Sequence, residues 1–199
     1  GADAALVVTP YYNRPMQSGL EAHFTEIADH SDIPILMYNV PARTAVDMQA
    51  QTTARLARHR MIHGIKEALP DMGRIARLVE LCPSGFSIMS GDDPSCREAM
   101  LLGAKGVVSV AANVEPARMH RLCKLSVAAD IQASAELQAE LAELFRLMGI
   151  ESNPIPVKWA VEEMGLIGSG IRLPLLPLET RHHEAVRTCL RELQGDKNH

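Results

Sequence analysis

One lysine, Lys66, stands where a buried strand is expected to end, and Glu67 follows it directly. Ile62 and Ile65 flank a glycine just before it, and this short apolar run predicts a buried strand of a parallel sheet. α/β barrels carry their chemistry at the C-terminal ends of such strands. An apolar setting there lowers the pKa of a lysine, so a neutral amine can attack a ketone and form a Schiff base. The alternative is a surface lysine that pairs with Glu67.

Five short apolar runs alternate with helical patterns in the first part of the chain. The predicted strands are Ala5–Val8, Ile35–Tyr38, the run that ends at Lys66, Phe86–Met89 and Gly106–Val110. Between two of them, Asp47 is expected to cap a helix that runs to about His59. Strands that alternate with helices at short intervals predict parallel βα units and an α/β fold.

The pattern changes after Asn113, where helices follow one another without a convincing strand. We therefore predict two domains, a partial (βα) barrel of five βα units at residues 1–129 and a C-terminal helical domain at residues 130–199. The last residues, from Gly195, are expected to form a frayed tail.

Polar or small residues recur just after the predicted strands: Tyr11, Tyr12, Tyr38, Arg43, Gly91 and Val108. Because the strand ends of a barrel converge on one mouth, these residues are expected near Lys66. A phenol there suits the proton transfers of Schiff-base formation, and an arginine fork suits a carboxylate. Each also has a structural explanation: the tyrosines as packing residues or loop anchors, and Arg43 as a solvated charge. The neighbouring Asp92 and Asp93 are interpreted as acids at a helix N-terminus.

Composition narrows the function classes. The chain has 199 residues, 47% of them hydrophobic, a net charge of −4 and no basic block, so neither nucleic acid nor a membrane is an expected partner. Four widely spaced cysteines predict buried thiols in a reducing compartment, hence a cytoplasmic protein. The histidines lack ligand spacing, so no metal site is expected.

Six motifs resemble the dihydrodipicolinate synthase (4-hydroxy-tetrahydrodipicolinate synthase) family of the pyruvate-dependent class I aldolase superfamily. They fall in the family's order and cover the chain nearly end to end. The motifs are Val8-Thr-Pro-Tyr-Tyr-Asn-Arg-Pro15, Tyr38-Asn-Val-Pro-Ala-Arg-Thr44, Gly64-Ile-Lys-Glu-Ala68, Ser90-Gly-Asp-Asp93, Gly106-Val-Val-Ser-Val110 and Asn153-Pro-Ile-Pro-Val-Lys-Trp159.

The resemblance implies a lyase of lysine (diaminopimelate) biosynthesis that condenses pyruvate with L-aspartate 4-semialdehyde and needs no cofactor. It implies that Lys66 forms the Schiff base with pyruvate and that Tyr38 shuttles protons to and from that intermediate. Arg43 then resembles the arginine that binds the carboxylate of the aldehyde, and Gly91 and Val108 match positions whose backbone lines the pyruvate site. At the Val108 position the family often has Ile.

Two tyrosines carry implications for assembly and control. Tyr12 resembles the tyrosine that crosses a dimer interface into the neighbour's proton relay, which implies a homo-oligomer, a dimer or a tetramer. Tyr11 matches a residue of the site for L-lysine as feedback inhibitor.

The family is a TIM (βα)8 barrel followed by a small helical domain, and here only strands 4 to 8 are expected. An N-terminally truncated, incomplete barrel is the consequence, without the Gly-Thr-Thr-Gly-Glu loop whose threonines bind pyruvate. Its first and last strands are expected to be open edges.

Two other functions stay open. One is another pyruvate aldolase, such as N-acetylneuraminate lyase or a keto-deoxy-sugar acid aldolase, although Arg43 favours the synthase. The other is a catalytically inactive chain that serves only as a binding or structural fragment.

Overall fold

The chain forms a parallel sheet and nine α-helices within residues 1–195, which a computed structural model describes. The tail was predicted to start at Gly195, but Gly195 is the last residue of a helix, and residues 196–199 lie outside the described residues. The strands are β1 (Ala5–Val8), β2 (Ile35–Asn39), β3 (Ile62–Glu67), β4 (Ser87–Ser90) and β5 (Gly106–Val107). The helices are α1 (Gln17–Asp29), α2 (Pro41–Thr44), α3 (Ala50–Leu56), α4 (Met72–Leu81), α5 (Cys96–Leu101), α6 (Pro116–Val127), α7 (Ile131–Met148), α8 (Ile155–Glu163) and α9 (His183–Gly195). Two short 3₁₀ helices, Ala111–Asn113 and Thr180–His182, complete the described part.

The five strands lie side by side in chain order, β1-β2-β3-β4-β5, and every neighbouring pair is parallel. Helices separate the successive strands, so the predicted α/β fold, five βα units of a TIM barrel wall, is confirmed. Within residues 1–195, β1 and β5 each pair with one strand, as expected for edges.

The two faces of the sheet differ in burial because side chains alternate along each strand. Met37 and Ile65 are fully buried, and Ile88 is nearly so. The residues next to them, Tyr38 and Lys66, are half-buried on the opposite face. The helices cover the first face with their apolar stripes, which include the buried Leu20, Phe24, Leu56, Ile75 and Leu78. Burying each such side chain contributes about 1.5–3 kcal/mol.

A polar cluster lies on the helix-covered side of the sheet and consists of the buried Asn39 and Glu67, the half-buried Arg74 and the exposed Asp47. Asn39 Nδ2 donates to both carboxylate oxygens of Glu67, at 3.1 and 3.0 Å, and to Asp47 Oδ1 at 3.0 Å. Arg74 donates to both oxygens of Asp47, at 3.1 and 2.6 Å, and its Nη1 lies 3.6 Å from Glu67. We call these four residues the polar cluster.

The two carboxyl groups of the polar cluster have opposite pKa shifts. Burial raises the pKa of Glu67 to about 7, although hydrogen bonds from Asn39 and the Leu69 amide oppose it. Burial also disfavours the Asp47 carboxylate, but the hydrogen bonds from Arg74 and Asn39 outweigh it and hold its pKa below the usual value. Near neutral pH, therefore, Asp47 is ionised and Glu67 is close to its midpoint.

Two local predictions are wrong. Asp47 does not cap α3, which begins at Ala50 after Gln49; its carboxylate is held by Arg74 instead. The last strand ends at Val107 rather than Val110, because the chain turns into a 3₁₀ helix, and Ser109 Oγ accepts from the Ala112 amide at its start.

By its contacts the chain divides into two compact units. The first comprises Gly1–Val108 with Ser126–Ala129, and the second comprises Ser109–Leu125 and the chain from Asp130 onward. The second unit is helical, and in it Trp159 stacks on His183 with 4.3 Å between ring centroids. The predicted domain boundary between residues 129 and 130 stays a prediction.

None of the helices within residues 1–195 combines the length and apolar character needed to cross a bilayer. All four cysteines carry thiols, of which Cys96 and Cys189 are buried while Cys82 and Cys123 are half-buried. The expectation of four buried thiols is therefore correct for two of them.

Gly64 allows β3 and β4 to approach closely, so Gly64→Ala should destabilise the chain. A Cβ at this position would lie 2.5 Å from the Ser87 carbonyl oxygen, which is backbone and cannot rotate away. We expect a loss of about 1–3 kcal/mol in urea unfolding. Gly85→Ala is the matched control, because nothing lies within 4 Å of a Cβ there. Equal unfolding midpoints for the two variants would contradict this packing.

The raised pKa of Glu67 should make the free energy of unfolding depend on pH. An unfolded glutamate titrates near 4.5 and the folded Glu67 near 7, so its contribution is full below pH 4.5 and is lost as the pH rises through 7. As the pH rises from 4.5 to above 7, we expect the free energy of unfolding of the wild type to fall by about 3 kcal/mol relative to that of Glu67→Gln. Urea unfolding at a series of pH values measures this, with Glu80→Gln at the exposed end of α4 as control. Parallel curves for wild type and Glu67→Gln would refute it.

Candidate active site

Tyr38 and Lys66 are neighbours across the β2–β3 pair. The strand register places them opposite one another, and their side chains extend from the same face of the sheet. Lys66 Nζ lies 4.3 Å from the centroid of the Tyr38 ring, within the range of a cation–π contact. Two residues that are 28 positions apart in the sequence thus form one constellation.

The amine of Lys66 is shifted toward its neutral form. Burial lowers the pKa of Lys66 below the usual value of a lysine, and the positive charge of Arg43 acts in the same direction. The negative charge of Asp93 opposes both. The shifted pKa makes the neutral amine, which is the nucleophilic form, more accessible than in a surface lysine.

The phenol of Tyr38 is also shifted toward its neutral form, which for a phenol means a higher pKa. Burial raises the pKa of Tyr38 and Arg43 opposes this, so the phenol keeps its proton near neutral pH. A protonated phenol beside a neutral amine can donate a proton to an oxygen that develops negative charge, and it can take the proton back later.

Gly91 leaves the room that the Lys66 side chain occupies. A Cβ at Gly91 would lie 2.9 Å from Lys66 Cε and 2.8 Å from the Ala68 methyl group. The Gly91 amide also donates to the Glu67 carbonyl at 2.7 Å, which ties the end of β4 to the end of β3. The absence of a side chain at this position is therefore required by the path of the lysine.

Arg43 lies in α2, the one-turn helix that directly follows β2. The helix starts after Val40 with Pro41 and ends at Thr44, and the next residue, Ala45, has a left-handed φ of 55°. The side chain of Arg43 is exposed, yet its charge acts on both Tyr38 and Lys66. The structure thus brings Arg43 to the rim of this constellation, where a solute from water can reach it.

Tyr11 and Tyr12 follow β1 and are turned to solvent. Tyr12 is 94% exposed and has a left-handed φ of 63°, while Tyr11 is 68% exposed. Within residues 1–195, the structure does not bring these two exposed rings into the constellation of Tyr38 and Lys66. Val108, just beyond β5, is 37% exposed, and its amide donates to the Ser90 carbonyl at 2.9 Å.

Asp92, one of the acids interpreted as lying at a helix N-terminus, accepts from the Ser95 amide at 3.0 Å just before α5, but the acid in the first turn of that helix is Glu98. Asp93 was interpreted in the same way, but its charge also acts on Lys66. Its place after a strand end was a signal that sequence reasoning did not use.

The alternative pairing of Lys66 with Glu67 is wrong, because consecutive residues of a strand point to opposite faces. Glu67 is 1% exposed and belongs to the polar cluster behind the sheet. Sequence reasoning also missed Asn39, since an amide in the middle of a motif gives no sign of its partners. Within residues 1–195, no group of three or more His, Cys, Asp or Glu side chains is arranged to hold a metal ion.

Comparison with known proteins gives one consistent answer. The model of the Dihydrodipicolinate synthetase family matches residues 1–193. A protein named 4-hydroxy-tetrahydrodipicolinate synthase from Cellvibrio japonicus is 50% identical over 190 residues, which are 96% of this chain and 66% of that protein.

Solved structures agree. The chloride-inhibited dihydrodipicolinate synthase from Acinetobacter baumannii, complexed with pyruvate, has a TM-score of 0.94 and 47% identity over 96% of this chain and 66% of that one. The enzyme from Cyanidioschyzon merolae with lysine bound has a TM-score of 0.92 and 32% identity, over 96% of this chain and 65% of that one.

The chain spans about two thirds of the length of the relatives it matches, at 66% and 65% of theirs. The match itself runs through almost all of this chain, from Gly1 to Leu193. On that basis, the chain belongs to the Dihydrodipicolinate synthetase family.

Proposed function

We propose that this chain carries the Schiff-base half of an active site that condenses pyruvate with L-aspartate 4-semialdehyde to 4-hydroxy-tetrahydrodipicolinate, a step of lysine (diaminopimelate) biosynthesis. The observation that carries the proposal is the half-buried Lys66 amine, with its lowered pKa, against the Tyr38 ring. The relative from Acinetobacter baumannii, which was solved with pyruvate, supports the choice of the first substrate.

The first step uses the neutral amine. Lys66 Nζ attacks the ketone carbon of pyruvate, and the resulting carbinolamine loses its hydroxyl as water to leave an iminium. Tyr38 supplies and recovers the protons that this exchange needs. Loss of a proton from the pyruvate methyl group then gives the enamine.

The second step forms the carbon–carbon bond. The enamine carbon attacks the aldehyde carbon of aspartate semialdehyde, whose oxygen takes up a proton. The amino group of the adduct then attacks the iminium carbon, so the ring closes and the Lys66 amine is released. No electrons are gained or lost, so the cycle calls for no redox cofactor.

Arg43 is the proposed carboxylate ligand for the aldehyde. Its exposed guanidinium at the rim can form a two-pronged contact with a carboxylate that arrives from water. Gly91 and Val108 are proposed to line the pyruvate site with their backbone. Arg43 favours the synthase over N-acetylneuraminate lyase or a keto-deoxy-sugar acid aldolase, because an aldehyde that bears a carboxylate calls for an arginine.

The exposure of Tyr12 supports its proposed role across an interface. A ring that is 94% exposed and held by a left-handed backbone is available to a second chain, so we propose a homo-oligomer in which Tyr12 joins the partner's proton relay. Tyr11 is proposed to contribute to a site for lysine, as supported by the relative with lysine bound. The four thiols support a reducing, cytoplasmic location.

Pyruvate with borohydride should label Lys66 irreversibly, because hydride converts the iminium into a stable secondary amine. Peptide mass spectrometry locates the adduct. Lys66→Ala should abolish the label, whereas Lys105→Ala, at an exposed lysine, should leave it unchanged. Equal labelling of the Lys66→Ala chain would overturn the proposed function.

Arg43→Ala should raise the KM for aspartate semialdehyde by about tenfold to a hundredfold, since a charge-assisted hydrogen bond is worth about 1.5–3 kcal/mol. Pyruvate labelling of Lys66 should persist. Arg43→Lys should recover part of the loss, and Arg60→Ala, at another exposed arginine, should show none.

The measurement is coupled turnover with aspartate semialdehyde and, in parallel, with sugar acids as substrates. Turnover of sugar acids alone would make the chain another pyruvate aldolase. A chain that melts cooperatively by circular dichroism yet neither labels nor turns over would be a non-catalytic binding chain.

A further inference from the structure

The polar cluster lies directly behind the proposed catalytic pair. Asn39 follows Tyr38 on β2, and Glu67 follows Lys66 on β3, and these two residues are also register partners. The catalytic side chains therefore extend from one face of two paired strand ends, while an amide and a carboxyl group join the same ends on the other face.

The connection between the strand ends is dense. The Asn39 amide contacts both Glu67 oxygens, and the Asn39 carbonyl accepts from the Ala68 amide at 3.0 Å. Glu67 Oε1 accepts from the Leu69 amide at 2.9 Å, and the Glu67 carbonyl accepts from Gly91. One residue, Glu67, thus contacts β2, the turn after β3 and the glycine beside the Lys66 stem.

Stability alone gives no reason for this arrangement. A buried carboxyl group costs free energy unless its hydrogen bonds are all made, and apolar residues of similar volume commonly do as well or better. What hydrogen bonds add is direction, since they fix where two backbones end relative to one another. Misplacing a reacting group by about 1 Å can slow a reaction by about a hundredfold.

We propose that Glu67 and Asn39 are positioning residues for Lys66: they hold the ends of β2 and β3 so that the amine stays against the Tyr38 ring. They touch no substrate and act through the backbone. The inference rests on the proposed function and deepens it.

The cluster also connects the site to pH. The charged groups that act on Glu67 are Arg74 of α4 and Asp47 from the segment before α3. The register partners of Glu67 on the two neighbouring strands are Asn39 of β2 and Ser90 of β4. The Arg74 guanidinium is in turn influenced by Asp71 at the start of α4. Since burial raises the pKa of Glu67 to about 7, the carboxyl group changes its charge near neutral pH.

The test compares Glu67→Gln and Glu67→Leu in the whole chain, with Glu80→Gln as the control on the exposed part of α4. The readout is the first-order rate of borohydride trapping with pyruvate, measured over a pH range that brackets the pKa of Glu67. Circular dichroism is used to match the folded fraction of the samples. Glu67→Leu should trap at least about tenfold more slowly than the wild type. Glu67→Gln, which keeps the shape, should recover most of the rate but lose the inflection near the pKa of Glu67. Wild-type rates and an unchanged profile in both variants would leave Glu67 a structural residue and overturn the inference.

A second readout keeps the inference separate from the proposed function. Competitive acetylation of Lys66 with acetic anhydride reports the titration of its amine without any pyruvate. In Glu67→Leu and Asn39→Ala this titration should move to higher pH, and in Glu80→Gln it should not. If the wild type fails to trap pyruvate, the proposed function fails, while the acetylation profiles still decide whether the polar cluster positions Lys66. Identical profiles in all chains would reject it.

Discussion

The parallel pairing of β2 with β3 is the interaction on which the candidate site depends. Its register sets Tyr38 against Lys66 on one face and Asn39 against Glu67 on the other. The first pair is half-buried, which shifts the amine and the phenol toward their neutral forms. The second pair is buried and hydrogen-bonded, so the backbone that carries the first pair has little freedom.

Charged groups act differently on the two faces of the sheet. On the face of Lys66 they adjust the pKa of the amine, and behind the sheet they pair with the acids of the polar cluster. Burial lowers the pKa of Lys66, and Asp93 and Arg43 act on it with opposite signs, so no single charged partner sets the state of the amine. Behind the sheet, Arg74 fully engages Asp47 and approaches Glu67 only at 3.6 Å. The arginine therefore keeps one acid ionised and leaves the other near its midpoint.

The sequence predicted most of the fold because short apolar runs and turn residues are local signals. β1 has the predicted bounds, and Lys66 lies at the strand end where the pattern placed it. Asp47 was misassigned because an acid before a helix has the same local pattern whether it caps the helix or binds a distant arginine. The pairing of Glu67 with Asn39 was missed for a related reason. The two residues are 28 positions apart in the sequence, and no local pattern indicates a hydrogen bond between strands.

The alternation of side chains along β3 has a consequence for how this segment tolerates change. Lys66 and Glu67 are adjacent in sequence but extend from opposite faces, so deletion of one residue before them would move each side chain to the other face. The amine would enter the helix-packed interior, and the carboxyl group would occupy the place of the nucleophile. A point substitution in this strand changes one side chain and leaves the others on their faces, whereas a change of length moves every side chain that follows. The spacing between Gly64 and Lys66 is thus as strict a requirement as the lysine itself.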